Sequence, residues 1–365
     1  MAPDEPRATR PALELGSTGA RIRALLAVSV FALGVGLILS VAGGTLGYDY
    51  EAYVGAARRV LDGARLYDPG ASVAGGFAIY LYPPPFALAM IPFALLPASL
   101  GLWAWEVALV AVFLLGVALM PVRRQVRWAT VLLAGLQWPF LYTIKLGQVT
   151  PWLFLAFVVG WRGIGRPASL GLSVAAGALA KVQPALLLGW TLLTRRLRAT
   201  AWGIVTIGLA CAVSALILGV GAWADYVDLL RRVGEPVATP HNFTPGAIAL
   251  QLGAGRELAG GIQVLAVGAT LVVAAVACLR APAETSYVVA IVASQLISPL
   301  LWDHYAMLLL IPTAFLLERG QRWAVILPLA GWLPAPVYPV LFGVGLLAPL
   351  VAGDGRPVAR PAASA

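Results

Sequence analysis

The feature that leaves this chain fewest options is a succession of apolar runs interrupted only by short, arginine-bearing loops. The runs fall at about 24–44, 100–121, 129–146, 150–165, 168–180, 183–194, 200–220, 259–279, 285–301, 305–317, 323–337 and 338–352. Together they predict an all-α, polytopic membrane protein with up to about twelve transmembrane helices. Strands of about 10 residues with alternating polarity, the mark of a β-barrel, are not present in the pattern. Several runs are shorter than the roughly 20 residues of an upright span, which suits short helices ending at a cavity or broken pairs. Residues 84–97 are also apolar, but Pro92 and Pro97 cut the run, so it is read as re-entrant or surface-lying.

Charge fixes the orientation. The net charge of +9 resides in clusters beside apolar runs, where the positive-inside rule explains it better than nucleic-acid binding does. With the N-terminus in the cytoplasm and 84–97 not crossing, Arg123, Arg124, Arg127, Arg162, Arg166, Arg195, Arg196, Arg198, Arg280, Arg319 and Arg322 fall inside. The minority of basic residues, among them Arg58, Lys145 and Lys181, fall outside with most of the carboxylates. The chain then divides into a cytoplasmic disordered tail (1–23), one transmembrane unit (24–352) with long outer loops at 45–99 and 221–258, and a cytoplasmic tail (353–365). The first helix reads as a retained span, with no cleavage signal behind it. Cys211 and Cys278 lie within apolar runs and are expected to be free thiols.

This topology gathers five polar elements at one membrane surface, and ionisable groups at such depth are costly enough to mark a site. Asp49 sits just after the first span between Tyr48 and Tyr50. Asp49 to Leu66 has the spacing of an amphipathic interfacial helix, and so does Trp223–Val233 in the second outer loop. A carboxylate held there and partly desolvated would titrate higher than usual and suit proton abstraction. Tyr80-Leu81-Tyr82-Pro83-Pro84-Pro85-Phe86 is a stiff bend whose Tyr82 is either structural or pocket-lining. Lys181 is a lone cation in an apolar stretch, followed by Gln183 and the helix breaker Pro184. It either snorkels or holds a phosphate, and the latter is favoured. Lys145, with Gly147 and Gln148, repeats the signal more weakly, and Arg58, His241 and Asn242 are further polar candidates. Asp303 and His304 stand side by side, with the carboxylate expected to orient the imidazole as a donor to a leaving phosphate. Two histidines make no ordinary zinc site, so no metal and no cofactor are expected.

In these segments the chain resembles glycosyltransferase family 87 of the GT-C superfamily. The resemblance rests on Tyr48-Asp49 through Arg58, Gly63 through Pro69, Tyr82-Pro83-Pro84-Pro85-Phe86, Leu146-Gly147-Gln148, Ala180-Lys181 with Pro184, and Ser298-Pro299 with Trp302 and His304. It implies a GT-C fold and an inverting transfer from a polyprenyl-phosphate sugar to a glycan or glycolipid acceptor at the outer face of the plasma membrane. Asp49 would be the base, and Lys181 and His304 would meet the leaving phosphate. Mannose is the first expectation for the sugar and arabinofuranose the second. A lipid or sugar transporter is the competitor from another class; it predicts inverted repeats, and none is visible.

Overall fold

The computed structural model describes residues 12–68, 70, 79–233, 239, 241–334 and 336–352. Among these the chain is helical, with one isolated bridge pairing Asn242 with Trp302. The first half comprises α1 (Ala12–Val41), α2 (Tyr48–Leu61), α3 (Pro84–Ala89), α4 (Ile91–Ala94), α5 (Ala98–Leu119), α6 (Arg124–Leu136), α7 (Trp138–Leu146), α8 (Thr150–Arg162) and α9 (Pro167–Ala180). The second comprises α10 (Leu186–Leu193), α11 (Leu197–Leu218), α12 (Val220–Val233), α13 (Pro245–Gln251), α14 (Arg256–Arg280), α15 (Ala283–Leu296), α16 (Leu310–Glu318), α17 (Ile326–Leu329) and α18 (Val337–Ala352).

Among the described residues four helices are long and apolar enough to cross a membrane: α1 over Thr18–Val41, α5, α11 and α14. α7 and α8 qualify together as one span bent by 120°, and α9 and α18 are apolar but shorter. The run at 84–97 forms only the six residues of α3 and the four of α4, so neither can cross. The run at 129–146 is broken at Gln137, and the run at 323–337 divides into two 3₁₀ turns around α17.

α1 begins at Ala12, so part of the segment expected to be a disordered tail is helical; residues 1–11 and the C-terminal segment 353–365 lie outside the described residues. α2 ends at Leu61, five residues short of the expected Leu66, where Asp62 and Gly63 turn the chain.

Two contacts set the geometry that matters for the site. α1 and α6 touch backbone to backbone where Gly34 meets Gly135, and a Cβ on Gly135 would lie 2.6 Å from the Cα of Phe31. Beyond the ends of these two helices, Gly47 N–H, in the turn after α1, donates to Lys145 O on α7 at 2.9 Å. The two strands of helix therefore run parallel and end at the same level, which places Tyr48-Asp49 beside Gly147-Gln148.

At the opposite end of the bundle the arginines collect. Arg123 donates its backbone N–H to Glu318 at 2.8 Å, Arg162 donates to Leu119 O at 3.3 Å, and Arg196 donates to Ile164 O at 2.9 Å. Cys211 and Cys278 are free. Gly135→Ala is expected to cost about 1–3 kcal/mol by forcing α1 away from α6. An unfolding midpoint unchanged from wild type would show that the helices do not need this approach.

Candidate active site

The site is built from chain breaks. α7 ends at Gly147, whose φ of 64° is left-handed and whose added Cβ would meet the Cβ of Tyr50 at 2.9 Å. Only glycine fits there, and the turn it makes aims Gln148 back at α2. Gln148 Nε2 donates to Asp49 Oδ2 at 2.6 Å. Gln148 also meets Tyr82, and Tyr53 OH donates to Gln148 Oε1 at 2.9 Å while accepting from Val149 N–H at 3.3 Å. Asp49 and Tyr53 are four residues apart on α2 and so share a face. Tyr53 and Tyr82 pack edge to face with centroids 4.8 Å apart. Tyr82 is thus a pocket-lining residue as well as a bend.

The second break is at Lys181. α9 ends at Ala180, Lys181 is extended (φ −146°, ψ 145°), and Pro184 belongs to the 3₁₀ turn Gln183–Ala185. Only 5% of Lys181 is exposed, and its Nζ has no hydrogen-bond partner. Instead it rests 3.9 Å above the ring of Tyr305 and 5.5 Å from that of Tyr82. It heads a groove of about 370 Å³ between Tyr82, Gln183, Leu186, Leu229, Val233 and Pro299.

Burial pushes the Asp49 carboxyl up, against the opposing pull of Lys181 and the Gln148 hydrogen bond. Burial pulls the Lys181 ammonium down, against Asp49. Each group is the other's main electrostatic support in a site that disfavours both charges.

The third element is the turn after α15. Trp302 is extended (φ −84°, ψ 153°) and caps the 3₁₀ helix Asp303–Leu309. The expectation that Asp303 orients the His304 ring is not met: His304 Nδ1 is 3.9 Å from Asp303 Oδ1, beyond hydrogen-bond range, and it is the His304 backbone N–H that donates to Asp303, at 3.0 Å. Asp303 also lies within ion-pair distance of His241 Nδ1, at 3.6 Å, and accepts from Trp138 Nε1 at 3.4 Å. Its carboxylate raises the His241 pKa. His304 is fully enclosed, and burial, then Lys181 and His241, lower its pKa well below the usual value. Its Nε2 is buried with no hydrogen-bond partner and so is open to a ligand. Asn242 Oδ1 accepts from Leu301 N–H at 3.0 Å, so it fixes the loop between α12 and α13 to this turn.

Arg58 is not brought into the cluster. It lies nine residues beyond Asp49 on α2, on the opposite helix face, and is exposed. Lys145 lies at its edge, 5.8 Å from the ring of Tyr142. Tyr48 opens α2 beside Asp49 and is partly buried. Among the described residues no three His, Cys, Asp or Glu side chains cluster as metal ligands.

Sequence reasoning passed over Tyr53, Tyr305, Trp138 and Glu106. Glu106 is 2% exposed with both carboxyl oxygens unpaired, and a Cβ on Gly147 would lie 3.1 Å from its Oε1. Its signal was available: it is the one ionisable residue in the 22 residues of α5. Gln148→Leu removes the hydrogen bond that favours the Asp49 carboxylate and so shifts its titration to higher pH. Difference infrared spectroscopy of the carboxyl band reads this directly, and an unmoved or lowered midpoint would contradict the network.

The model of glycosyltransferase family 87 matches residues 80–300, which include Tyr82, Gln148, Lys181 and His241 but not Asp49 or His304. A curated relative from Mycobacterium tuberculosis (strain CDC 1551 / Oshkosh) is 28% identical over 297 residues, covering 76% of this chain and 68% of its own. It is named polyprenol-phosphate-mannose-dependent alpha-(1-2)-phosphatidylinositol pentamannoside mannosyltransferase. No solved structure matches the chain. With more than half its length matched by the family model and apolar helices of membrane-crossing length, the chain belongs to glycosyltransferase family 87.

Proposed function

We propose that the protein transfers a sugar, with inversion, from a polyprenyl-phosphate donor to a glycan or glycolipid hydroxyl at the outer face of the plasma membrane. The observation that carries this reading is the opposition of one carboxylate, Asp49, to Lys181, a buried cation whose Nζ is unpaired at the head of an apolar groove. A buried ammonium without hydrogen-bond acceptors suits an anionic ligand, and the groove behind it suits a lipid tail.

Asp49 takes the proton of the acceptor hydroxyl as its oxygen bonds to the anomeric carbon. The bond from that carbon to the phosphate oxygen breaks, and its electron pair stays with the departing polyprenyl monophosphate. The phosphate gains one negative charge, which Lys181 meets as a cation and His304 meets with one N–H. The reading uses no metal and no cofactor.

The name of the mycobacterial relative supports mannose as the sugar. The Arg-rich end of the bundle faces the cytoplasm, the short apolar helices complete about twelve crossings around the site, and α2 and α12 lie in the outer interface. The bidentate pair of Arg65 with Asp225, with Nε to Oδ2 at 2.8 Å, joins the loops that carry these two helices.

The test is transfer in nanodiscs with EDTA, using synthetic polyprenyl-phosphate mannose and arabinofuranose donors. Asp49→Asn is expected to fold and to lose about 10²–10⁴-fold in kcat, and Lys181→Met about 10²–10³-fold. Wild-type rates in folded Asp49→Asn would remove it as the base. Transfer from the arabinofuranose donor alone would correct the sugar.

A further inference from the structure

A second cavity of about 370 Å³ lies on the other side of the Trp302–Asp303 turn from the Lys181 groove, and its lining includes Trp138, Trp332, Tyr338, His241 and Asp303. Because Trp302 is extended, it and Asp303 project to opposite sides: Trp302 lines the groove and Asp303 lines the second cavity. The turn is thus a partition. Lys181 in the groove and Asp303 in the second cavity both act on the charge of Asp49, which lines neither.

The second cavity has a different chemistry from the first. Trp332 Nε1 donates to Leu136 O at 2.7 Å and Trp138 Nε1 donates to Asp303, so both indole N–H groups are used within the protein. Trp138 already stacks on Tyr142 and lies 5.4 Å from Trp332, so what the pair has left to offer is open ring surface, chiefly that of Trp332. Beside them stand a buried carboxylate and an imidazole that is about half exposed. Tyr142 packs 5.0 Å from Trp138 and 6.1 Å from His241. A lipid tail has no use for Asp303 and His241, and a phosphate would meet the carboxylate at a cost. A sugar ring uses both features, laying its C–H face on an aromatic ring and turning its hydroxyls to the carboxylate and imidazole.

We propose that this aromatic chamber is the subsite for the acceptor glycan, seating a sugar ring against Trp138 and Trp332 with its hydroxyls on Asp303 and His241. The inference rests on the glycosyl-transfer reading above and deepens it: donor and acceptor enter from opposite sides of the Trp302–Asp303 partition and meet at Asp49. Trp332 is 58% exposed, as an aromatic anchor at a membrane surface would also be. Its effect on sugar binding separates the two roles.

The experiment measures binding, so it does not depend on turnover. Saturation-transfer NMR on protein in nanodiscs is run with methyl α-D-mannopyranoside and methyl α-D-arabinofuranoside as probes. Wild type is expected to give a saturable signal with at least one probe. Trp332→Ala and His241→Ala are each expected to weaken it about tenfold, Trp332→Phe to keep it, and Lys181→Met to leave it unchanged. No saturable signal with either probe, or a Kd unmoved in both Trp332→Ala and His241→Ala, overturns the subsite. Transfer at Asp49 with glycoside binding indifferent to the ring variants sinks the subsite alone. Ring-dependent glycoside binding without any transfer sinks the transfer reading and leaves the subsite standing.

Discussion

Everything at the site end of the bundle depends on setting a carboxylate and an ammonium within reach of each other's field where burial opposes both charges. Asp49 is held by one short hydrogen bond from Gln148, and Lys181 has no hydrogen-bonding partner, only aromatic faces and the field of Asp49. Such an arrangement is poor for stability, since a buried charge without a matched partner costs several kcal/mol. It is explicable if a ligand brings the missing anion. The surrounding fold holds the pair in place by breaking helices: the left-handed Gly147 aims Gln148, and the extended Lys181 ahead of Pro184 frees the ammonium from the helix face.

The same logic organises the chambers. The Lys181 groove is apolar behind a cation, which matches a lipid phosphate; the Trp138 and Trp332 chamber is aromatic beside a carboxylate, which matches a sugar. One extended residue, Trp302, sends consecutive side chains to the two sides. Asn242 secures that residue's strand-like pairing through Leu301 and thereby anchors the loop that carries His241. On the proposed reading, loop residues far apart in sequence act together because each ends a helix at the same level of the bundle.

Apolar periodicity and charge were enough to read the helical class, the shortness of the 84–97 segment and the meeting of Asp49, Gln148, Lys181, Asp303 and His304 at one end. They worked because helix breakers such as Pro184 and isolated ions such as Lys181 carry local signals. The missed features are those settled by packing. Tyr53 holds Gln148 because its hydroxyl reaches across to a residue 95 positions away. Asp303 bonds the backbone N–H of His304 rather than its ring and lies near His241, a residue of a distant loop. Arg58 shared a helix with Asp49, yet nine residues of α-helix turned it to the opposite face.

The most direct test of Asp49 as a base perturbed by its surroundings is the pH dependence of kcat/KM for sugar transfer, measured on wild type and Asp49→Asn. A carboxylate acts as base only when ionised, so the rate falls as pH drops through its pKa, which burial has pushed up to about 6. The account predicts an acid limb near that pH in wild type, absent from the residual activity of the variant. A limb in the ordinary carboxylate range near 4, or one that persists unchanged in Asp49→Asn, would contradict it.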